Sequence, residues 1–514
     1  MTLARVSSRS LLGIDAPAVD VEVHVANGLP AVTIVGLPEA AVRESRDRVQ
    51  AAITNSGFDF PNRRLTINLA PADLPKDSGR FDLAIAIGIL IATDQIPADR
   101  LTNRQFVGEL SLSGETRPVR GAMALALAIA QHRDHRSKPA PSCWPTLVLP
   151  PESAAEAAVV PGIRIQSAAS LLAVAADLRG EAPLKTPELA SSEPSCDQLV
   201  PEMADIRGQE HLKTGLEVAA AGGHNILLIG PPGGGKSMLA QRLPGILPSL
   251  SDEEALQTGA VASLAGRFKV SEWRNRPFRA PHHSASTAAL VGGGPRIRPG
   301  EISLAHNGVL FLDELPEFGA RTLDSLREPL ETGSISLSRA AHQLDLPARF
   351  QLIAAMNPCP CGHYGSQRCR CTPDQVARYQ QRVSGPLLDR IDLQLWVTPV
   401  ENTELLNKAA LETSAKIGER VIAARQRQLD RQGCSNAALA ANEVSEHCAL
   451  SEDAARLLAQ TAKRLHWSAR VFHRIQKLAR TSADLDGEAR ISSRHVAQAI
   501  SYRRALGLLA SRAA

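Results

Sequence analysis

Residues 225–237 read Asn-Ile-Leu-Leu-Ile-Gly-Pro-Pro-Gly-Gly-Gly-Lys-Ser, and this stretch decides the fold of the chain around it. An apolar run typical of a buried strand leads directly into a glycine-rich loop, and a segment that can form a helix follows from Met238. Glycines let backbone N–H groups close around phosphate oxygens, and the start of the helix adds unpaired donors and positive potential. We therefore predict a phosphate site formed by Gly230, Pro231, Pro232, Gly233, Gly234, Gly235, Lys236 and Ser237.

Two residues of this loop suit a nucleoside triphosphate bound with magnesium. Lys236 is expected to neutralise the β- and γ-phosphates, and the Ser237 hydroxyl to ligate Mg²⁺. A glycine-rich turn without a ligand is the alternative interpretation. The complete eight-residue pattern between a strand and a helix argues against it, so ATP and Mg²⁺ are the predicted cofactors.

Two further strands end in polar residues that fit the same site. The run Val309–Leu312 is followed by Asp313 and Glu314, and a third strand, 350–356, is followed by Asn357. Open α/β sheets bind ligands beyond the carboxyl ends of their strands. We expect Asp313 to hold Mg²⁺, Glu314 to orient and polarise the attacking water, and Asn357 to sense the γ-phosphate. Alone, Asn357 would be more typical of a turn, so its role depends on the other two motifs.

The remaining chain is organised around this nucleotide-binding region. Strand and helix patterns alternate before it, prolines cluster between 179 and 203, and Ala, Leu, Arg and Gln recur at helical spacing after about residue 402. These patterns predict an α/β protein in four segments: an amino-terminal α/β domain at 1–180, a linker at 181–204, a P-loop domain with a parallel sheet at 205–400, and a carboxyl-terminal helical domain at 401–514.

Composition narrows the class of protein further. Of 514 residues, 44% are hydrophobic and 21% are charged, which supports several buried cores and excludes wholesale disorder. The longest apolar stretches, 83–92 and 122–130, are about half the length of a bilayer span, so we expect a soluble, cytoplasmic protein without a membrane partner. A net charge of +4 does not indicate a polyanion partner, so any nucleic-acid surface must be local.

A local basic stretch lies between the two main nucleotide motifs. Residues 265–300 contain Glu272 as their single acid, and the aromatic residues among them are Phe268, Trp273 and Phe278. Such a run suits a phosphate backbone, although a solvated basic face is the commoner explanation. With so few aromatics, we expect binding with little sequence preference and a steep dependence on salt. The basic residues are Arg267, Lys269, Arg274, Arg276, Arg279, Arg296 and Arg298.

Four cysteines crowd together just after the third strand. Cys359 and Cys361 precede Cys369 and Cys371, with His363 between the pairs. Four thiolates could enclose a structural Zn²⁺ and fix this loop without an apolar core. The one-residue spacers are tighter than those usual in zinc sites. The alternative is a set of reduced cysteines without metal, like the remaining Cys143, Cys196, Cys434 and Cys448.

Three long segments resemble the AAA+ ATPases, in particular the magnesium-chelatase-like ComM/YifB family. They read Arg-Ala-Pro-His-His-Ser at 279–284, Gly-Val-Leu-Phe-Leu-Asp-Glu-Leu-Pro-Glu-Phe at 308–318, and Ala-Met-Asn-Pro-Cys-Pro-Cys-Gly at 355–362. The resemblance covers nearly the whole chain. It implies an amino-terminal α/β domain like that of Lon proteases (ribosomal S5 domain 2-like), a central AAA+ P-loop domain and a carboxyl-terminal helical lid.

The same resemblance implies a function. It points to a homohexameric ring that couples ATP hydrolysis to translocation on DNA, as a helicase or branch-migration motor. Its DNA would be single-stranded, forked or branched, bound without sequence preference, and remodelled during recombination as in natural transformation. The basic stretch would then include a pore-facing insertion, and a hairpin predicted at 333–350 would carry Arg339 near its tip.

The family pattern also assigns roles to arginines in the second half of the chain. It makes Arg390 an arginine finger that reaches the nucleotide site of a neighbouring subunit and stabilises charge on the γ-phosphoryl group. A structural salt bridge with Asp389 or Asp392 is the alternative for Arg390. Arg470 resembles the second sensor arginine of the lid, and Arg474, one helical turn further along, remains an alternative for that role.

The amino-terminal segment resembles a protease without its catalytic pair. Pro-Lys-Asp at 75–77 and Gly-Glu-Leu at 108–110 resemble active-site segments of Lon-type proteases, whose chemistry depends on a serine activated by a lysine. Those two positions hold Arg80 and Met123, which cannot act as nucleophile and base. Ser78 lies two residues too early. We therefore predict a noncatalytic scaffold.

Two other functions remain as alternatives to a DNA motor. One is a chelatase-type motor that remodels a protein partner for metal insertion into a tetrapyrrole. The amino-terminal domain argues against it, because by resemblance chelatase motor subunits lack such a domain. The other is an ATP-dependent protease, which the absent Ser–Lys pair makes the weakest of the three.

Overall fold

The computed structural model describes residues 3–36, 40–72, 74, 76, 79–131, 144–188, 201–294, 298–339, 342–400 and 412–503. The chain forms two compact units. The first consists of Met1–Ser195, Asp252–Trp273 and Ser336–Leu346, and the second of Cys196–Ser251, Arg274–Ile335 and Pro347–Ala514. The central part of the predicted linker, 189–200, lies outside the described residues.

The first unit begins with a four-stranded sheet covered by helices. Along its second strand, Val19, Val21, Val23 and Val25 alternate inward and are buried, as a sheet with one covered face requires. The helix Asp82–Ala92 is buried at all of its residues, which explains its almost continuous apolar sequence. In sheet order the strands are Leu3–Arg9, Ala18–Ala26, Arg64–Ala70 and Ala31–Val35, and the first helix of this unit spans Ala40–Asn55.

A second group of strands and helices completes the amino-terminal segment of the first unit. It contains a parallel sheet of three strands, a small antiparallel pair and three helices, which matches the mixed α/β character predicted for this region. The sheet strands are Arg104–Phe106, Thr146–Leu149 and Arg164–Ser167; the pair is Glu109–Leu110 with Thr116–Arg117; the helices are Ala122–Gln131, Pro151–Ala157 and Leu171–Arg179; and Gly79–Phe81 is a 3-10 turn.

A helix from the middle of the chain, Asp252–Leu264, also belongs to the first unit. It packs against Ala122–Gln131, and its Ala260 and Leu264 join Ala124 in an apolar cluster. The Ser263 hydroxyl donates to the Glu156 carboxylate at 2.8 Å. Part of the insertion between the nucleotide motifs therefore builds the first unit rather than a separate binding surface.

The second unit is built on a five-stranded parallel sheet. The phosphate-loop strand Ile226–Ile229 lies between two neighbours, and Ile229 pairs with Met356 on one side and with Trp396 on the other. The carboxyl ends of these strands therefore share one edge, which is the edge predicted for the nucleotide. In sheet order the strands are Phe278–Arg279, Val309–Leu312, Gln351–Met356, Ile226–Ile229 and Leu393–Trp396.

Short helices and one small strand pair surround this sheet, and a hairpin from the same part of the chain belongs mainly to the first unit, through Ser336–Leu346. The hairpin predicted near 333–350 is confirmed as Ser334–Arg339 paired with His342–Pro347, and its turn residues, Ala340 and Ala341, lie outside the described part of the chain. A second pair joins Gly292–Gly293 to Arg298–Pro299. The helices are Glu210–Gly222, Lys236–Arg242, Thr287–Val291, Glu301–Leu304, Ala320–Asp324, Arg327–Thr332, Pro373–Gln380 and Gly385–Leu388, with 3-10 turns at Met203–Asp205, Leu243–Ile246 and Leu315–Glu317. The 3-10 turn Val270–Glu272 belongs to the first unit.

The carboxyl-terminal region is helical, as predicted. Ser451 and Ser468 cap two of its helices by accepting hydrogen bonds from backbone N–H groups, and Ile475 and Leu478 pack into the same core as the strands of the parallel sheet. The helices are Ser414–Gln432, Val444–His447, Glu452–Arg464, Ala469–Asp486 and Ser493–Ser501, with a 3-10 turn at Asn436–Ala438. Within the described ranges, no helix combines the length and apolar character needed to cross a bilayer.

Candidate nucleotide site and cysteine cluster

The phosphate loop has a backbone that only glycine adopts easily. Gly233 and Gly235 have φ angles of 76° and 87°, in the left-handed region that side chains disfavour. Gly230 lies against the strand end beside it, where an added Cβ would collide with the Val397 carbonyl oxygen. The loop thus forms a narrow backbone cradle that leads into the helix beginning at Lys236.

The Lys236 side chain lies at the meeting point of the predicted site residues. Its ammonium group donates to the carbonyl oxygens of Gly230 at 2.8 Å and Pro231 at 2.9 Å, and to the Asn357 side-chain oxygen at 3.0 Å. Burial lowers the pKa of Lys236, and the nearby carboxylates of Asp313 and Glu314 oppose that shift. The structure therefore brings a buried cation and Asn357 together at the phosphate loop.

The two predicted magnesium ligands contact each other directly. The Ser237 hydroxyl donates to one carboxylate oxygen of Asp313 at 2.6 Å, and the other oxygen accepts the Glu314 backbone N–H at 2.9 Å. Hydroxyl and carboxylate oxygens are ligands that Mg²⁺ prefers, usually together with waters and substrate phosphates. The donor set therefore fits a magnesium ion bound with a triphosphate.

Glu314 has a partner that the sequence did not reveal. Its backbone lies in the left-handed region, at φ 52° and ψ 47°, and its carboxylate is 2.9 Å from Nδ1 of His283. The rings of His282 and His283 are 4.1 Å apart, and His282 shares a hydrogen bond of 2.8 Å with the Ser284 hydroxyl. The signal available in the sequence was the Arg-Ala-Pro-His-His-Ser string, which carried the family resemblance without a role for its histidines.

Gln209 is a second residue without a sequence signal. Its side-chain amide donates to the carbonyl oxygens of Gly234 at 3.1 Å and Thr398 at 2.8 Å. These bonds tie the phosphate loop to the chain that leaves the last strand of the sheet. Gln209 thereby fixes one wall of the cradle from a position just before the helix Glu210–Gly222.

Arg390 is held within its own chain. Its guanidinium pairs with the Glu331 carboxylate at 2.6 Å and donates to the Pro386 carbonyl oxygen at 2.7 Å. The side chain is 11% exposed. The ion pair is therefore with Glu331 and not with Asp389 or Asp392, which were the partners in the alternative hypothesis.

The two candidates for the lid arginine have different environments. Arg474 forms an ion pair with the buried Asp392 carboxylate and also donates to the Arg390 carbonyl oxygen at 3.2 Å. Although burial alone would raise it, Arg474 and His224 hold the pKa of Asp392 well below its usual range. Arg470 lies exposed in the first turn of the same helix. Arg474 is thus bound to a structural partner, whereas Arg470 faces solvent.

The basic stretch is divided between the two units, and part of it is structural. Arg276 donates to the carbonyl oxygens of Pro248 and Asn307, both at 2.6 Å. Arg279 pairs with Glu301 at 2.6 Å, whereas Arg298 is exposed. Lys269 pairs with Glu272 at the surface at 2.9 Å, and Arg296 lies outside the described residues. Fewer of these cations are therefore available to a polyanion than the sequence suggested.

The aromatic residues of the same stretch are used in packing. Phe268 and Trp273 lie edge to face at 6.2 Å and pack on the apolar cluster of the first unit. Phe278 stacks on Phe311 at 6.1 Å in the second unit. All three aromatic side chains therefore contribute to packing within their own units.

The four clustered cysteines lie together as free thiols. The sulfur of Cys359 is 3.4 Å from that of Cys361 and 3.9 Å from that of Cys369, and Cys361 and Cys369 are 3.7 Å apart. With Cys371, all four sulfurs lie within 4.8 Å of one another. Cys359 is buried, and the other three are partly exposed.

The protease-like positions of the first unit are buried. Arg80 is 6% exposed, and Met123 is fully buried in an apolar cluster, where its sulfur lies next to Gly259. Nearby, Arg48 pairs with Asp82 at 3.0 Å, and burial raises the pKa of that carboxyl to about 7. Ser78 lies outside the described residues. Met123 therefore has a packing role where a protease would need its lysine.

Three family models match successive parts of this chain. Residues 21–137 match "Subunit ChlI of Mg-chelatase", residues 202–405 match "Magnesium chelatase, subunit ChlI", and residues 411–503 match "Magnesium chelatase, subunit ChlI C-terminal". The matched ranges include every predicted residue of the nucleotide site.

Individual proteins are similar over nearly the full length. YifB of Salmonella typhimurium is 50% identical over 510 residues, which cover 98% of this chain and 97% of YifB. The competence protein ComM of Haemophilus influenzae is 47% identical over 514 residues, or 99% of each chain. A more distant similarity, 25% over 244 residues, links 47% of this chain to 23% of the DNA replication licensing factor mcm6 of Dictyostelium discoideum.

Proposed function

Because this chain belongs to the ComM/YifB family of magnesium-chelatase-like AAA+ ATPases, we propose that it is an ATP-driven motor that acts on DNA. The observation that carries the proposal is the convergence of Lys236, Asn357, Ser237 and Asp313 at one edge of the parallel sheet. Such convergence of a cation, a polar sensor and two oxygen ligands is what phosphoryl transfer requires.

Each residue of the site has a definite task in ATP hydrolysis. When ATP binds, Lys236 exchanges its contacts with the loop carbonyls for contacts with the β- and γ-phosphates. Asn357, its hydrogen-bond partner, then senses the γ-phosphate. Ser237 and Asp313 would hold Mg²⁺, which would supply charge neutralisation to the phosphates. Glu314 accepts a proton from the attacking water or orients it, and His283 positions the Glu314 carboxylate.

We further propose that the motor is a hexameric ring in which the site is completed by a neighbour. Arg390 is delivered to the γ-phosphate of the adjacent subunit, where a guanidinium stabilises the developing charge. For that role it must leave Glu331, its partner within the chain. Arg470, exposed on the lid helix, reaches the nucleotide of its own subunit.

The proposed substrate is DNA in a cytoplasmic recombination process. Support comes from the name of the Haemophilus influenzae relative, a competence protein, and from the similarity to a DNA replication licensing factor. The exposed basic residues, such as Arg298, suit contact with phosphates rather than bases. The motor would act as a helicase or branch-migration enzyme on single-stranded, forked or branched DNA, without sequence preference.

One measurement tests this function directly. The ATPase rate of the purified full chain is compared without DNA, with single-stranded DNA and with forked DNA, at several salt concentrations. We expect strong stimulation that falls steeply with salt, because contacts with the phosphate backbone release counterions. Equal rates with and without DNA, or a stimulation by DNA that salt does not change, would count against a DNA motor.

A chelatase-type motor remains the second candidate, because the three matching family models carry the magnesium chelatase description. This second function predicts an ATPase rate that DNA does not change and that a protein partner does change. The protease alternative is the weakest of the three, since Arg80 and Met123 occupy the positions of the catalytic pair. ATP-dependent peptide cleavage that a serine reagent blocks would revive it.

A further inference from the structure

The spacing of the four clustered thiols suits one metal ion. A tetrahedral Zn²⁺ with Zn–S bonds of about 2.3 Å places its sulfurs about 3.8 Å apart. The three separations among Cys359, Cys361 and Cys369 are 3.4, 3.7 and 3.9 Å. A disulfide would need about 2.05 Å, so these thiols are grouped without being bonded. Soft thiolates select zinc over magnesium or calcium.

The cysteine loop also lies directly on the phosphate loop. Gly362, between the two cysteine pairs, has a φ of 81°, and a Cβ added there would come within 2.5 Å of the Pro232 ring. Pro232 is one of the residues of the phosphate loop. The backbone of the cysteine loop therefore forms part of the wall that supports the nucleotide cradle.

The same loop is anchored on both sides to elements of the site. Cys359 follows Asn357 by two residues, so the sensor strand runs directly into the cluster. Thr372, next to Cys371, caps the helix Pro373–Gln380 in a reciprocal capping box with Gln375. At its far end, that helix contacts the residue that precedes Cys359, because Gln380 donates to the Pro358 carbonyl oxygen at 3.0 Å. A metal bound by the four sulfurs would link the two ends of this loop to each other.

We propose that Cys359, Cys361, Cys369 and Cys371 bind one Zn²⁺ ion, and that this ion holds Gly362 against Pro232 so that the phosphate loop keeps its nucleotide-binding shape. The loop 359–371 buries only Cys359 and Gly362, so apolar packing fixes little of it, whereas metal coordination supplies folding energy outright. The second part of the inference rests on the proposed nucleotide site.

The first experiment measures zinc in the purified full chain by elemental analysis. We expect one equivalent in the wild type, loss of zinc in the variant Cys369→Ser with Cys371→Ser, and retention in Cys434→Ser, a matched control outside the cluster. Lys236→Ala should lose nucleotide and keep zinc, which separates the two sites. A wild-type protein purified without chelators that contains no zinc would overturn the metal assignment, whatever its ATPase activity.

The second experiment tests the contact with the phosphate loop. Gly362→Ala keeps all four thiols and adds a methyl group against Pro232, whereas Gly365→Ala strains the same loop at a similar φ of 84°. We expect both variants to retain zinc. Gly362→Ala should bind a non-hydrolysable ATP analogue at least about tenfold more weakly than Gly365→Ala, which corresponds to about 1.4 kcal/mol of binding free energy. Equal affinities in two zinc-loaded proteins would overturn the supporting role of the cluster.

A third measurement avoids substitution and its risk of misfolding. Zinc is removed from the wild type by a zinc-selective chelator with Mg²⁺ in excess, and affinity for the analogue is measured before removal, after removal and after zinc is restored. We expect a reversible loss of affinity. Unchanged affinity in zinc-free protein would show that the ion does not support the nucleotide site.

Discussion

Ser237 and Asp313, 76 positions apart in sequence, are joined by a hydrogen bond of 2.6 Å between the serine hydroxyl and a carboxylate oxygen. Ser237 lies in the helix that follows the strand Ile226–Ile229, and Asp313 directly follows Val309–Leu312; these strands are not adjacent, because Gln351–Met356 lies between them. The bond spans the end of this middle strand and places two oxygen ligands side by side. These are the two oxygen ligands proposed for Mg²⁺, and the hydrogen bond fixes their separation.

Replacing Ser237 with alanine should weaken magnesium-dependent nucleotide binding. The substitution removes one ligand and leaves Asp313 without its hydroxyl partner. Hydrogen bonds to charged groups contribute about 1.5–3 kcal/mol, so we expect a loss of roughly ten- to a hundredfold in kcat/KM for MgATP. The dependence of the rate on Mg²⁺ concentration, with exposed Ser249→Ala as control, measures it. An unchanged magnesium requirement would remove Ser237 from the site.

The central chemistry of this site could be predicted from sequence because it is local. A strand followed by Gly-Pro-Pro-Gly-Gly-Gly-Lys-Ser leaves one arrangement for Lys236, and strand ends such as Asp313 and Asn357 must meet it at the shared edge of a parallel sheet. The fold class followed from the same alternation of strands and helices. In each case, the residue lies within about ten positions of the strand that places it at this edge.

What the sequence missed depends on contacts between distant segments. His283 contacts Glu314 from the turn that follows the strand Phe278–Arg279, Glu331 pairs with Arg390 from a separate helix, and Gly362 lies against Pro232 of the phosphate loop. No spacing rule connects such pairs. For the same reason, the sequence did not show that Asp252–Leu264 belongs to the first unit.

Lys236→Ala and Glu314→Gln should separate binding from hydrolysis. The lysine variant removes the cation that contacts Gly230, Pro231 and Asn357, so it should lose nucleotide affinity. The glutamine variant keeps the shape of Glu314 but cannot accept a proton, so it should bind ATP and hydrolyse it very slowly. Equilibrium binding and single-turnover hydrolysis distinguish the two. Wild-type nucleotide affinity in Lys236→Ala would undermine the site assignment as a whole.

His283→Ala should change turnover more than binding. The histidine contacts Glu314 at 2.9 Å and none of the phosphate-loop residues through a described hydrogen bond, so its loss should alter the position of the catalytic carboxylate alone. We expect kcat to fall about tenfold, with the KM for ATP little affected. His282→Ala, whose ring bonds with Ser284, is the matched control. Equal effects of the two substitutions would show that the histidines act together in folding.

Arg474→Ala and Arg470→Ala should have opposite consequences. Loss of Arg474 leaves the buried Asp392 carboxylate without its cation, which should cost about 3–5 kcal/mol in the free energy of unfolding. Replacing the exposed Arg470 with alanine should change the free energy of unfolding little but should reduce ATP hydrolysis. Urea unfolding and ATPase rates are measured on both variants. A stable Arg474→Ala protein with impaired hydrolysis would transfer the sensor role to Arg474.

The Asp392 carboxyl also makes a prediction about pH. Its pKa lies below the usual value in the folded protein, so its stabilising contribution is complete above the unfolded pKa of about 3.9 and is lost as the pH falls below it. The difference in unfolding free energy between wild type and Asp392→Asn should therefore be constant from pH 8 to about 5 and shrink in more acid solution. A difference that grows on acidification would contradict the ionised state of Asp392.

Arg390 should act on the neighbouring subunit, and mixing two inactive variants tests this. Arg390→Ala keeps its own phosphate loop, and Lys236→Ala keeps its arginine, so a mixed ring contains some junctions where an intact loop faces an intact Arg390. We expect each variant alone to be nearly inactive and their mixture to regain part of the ATPase rate. Glu331→Gln, which removes the partner that holds Arg390 within the chain, should by contrast raise the basal rate or leave it intact. Complete inactivity of every mixture, with both variants shown to assemble together, would place Arg390 in its own subunit as a structural ion pair with Glu331.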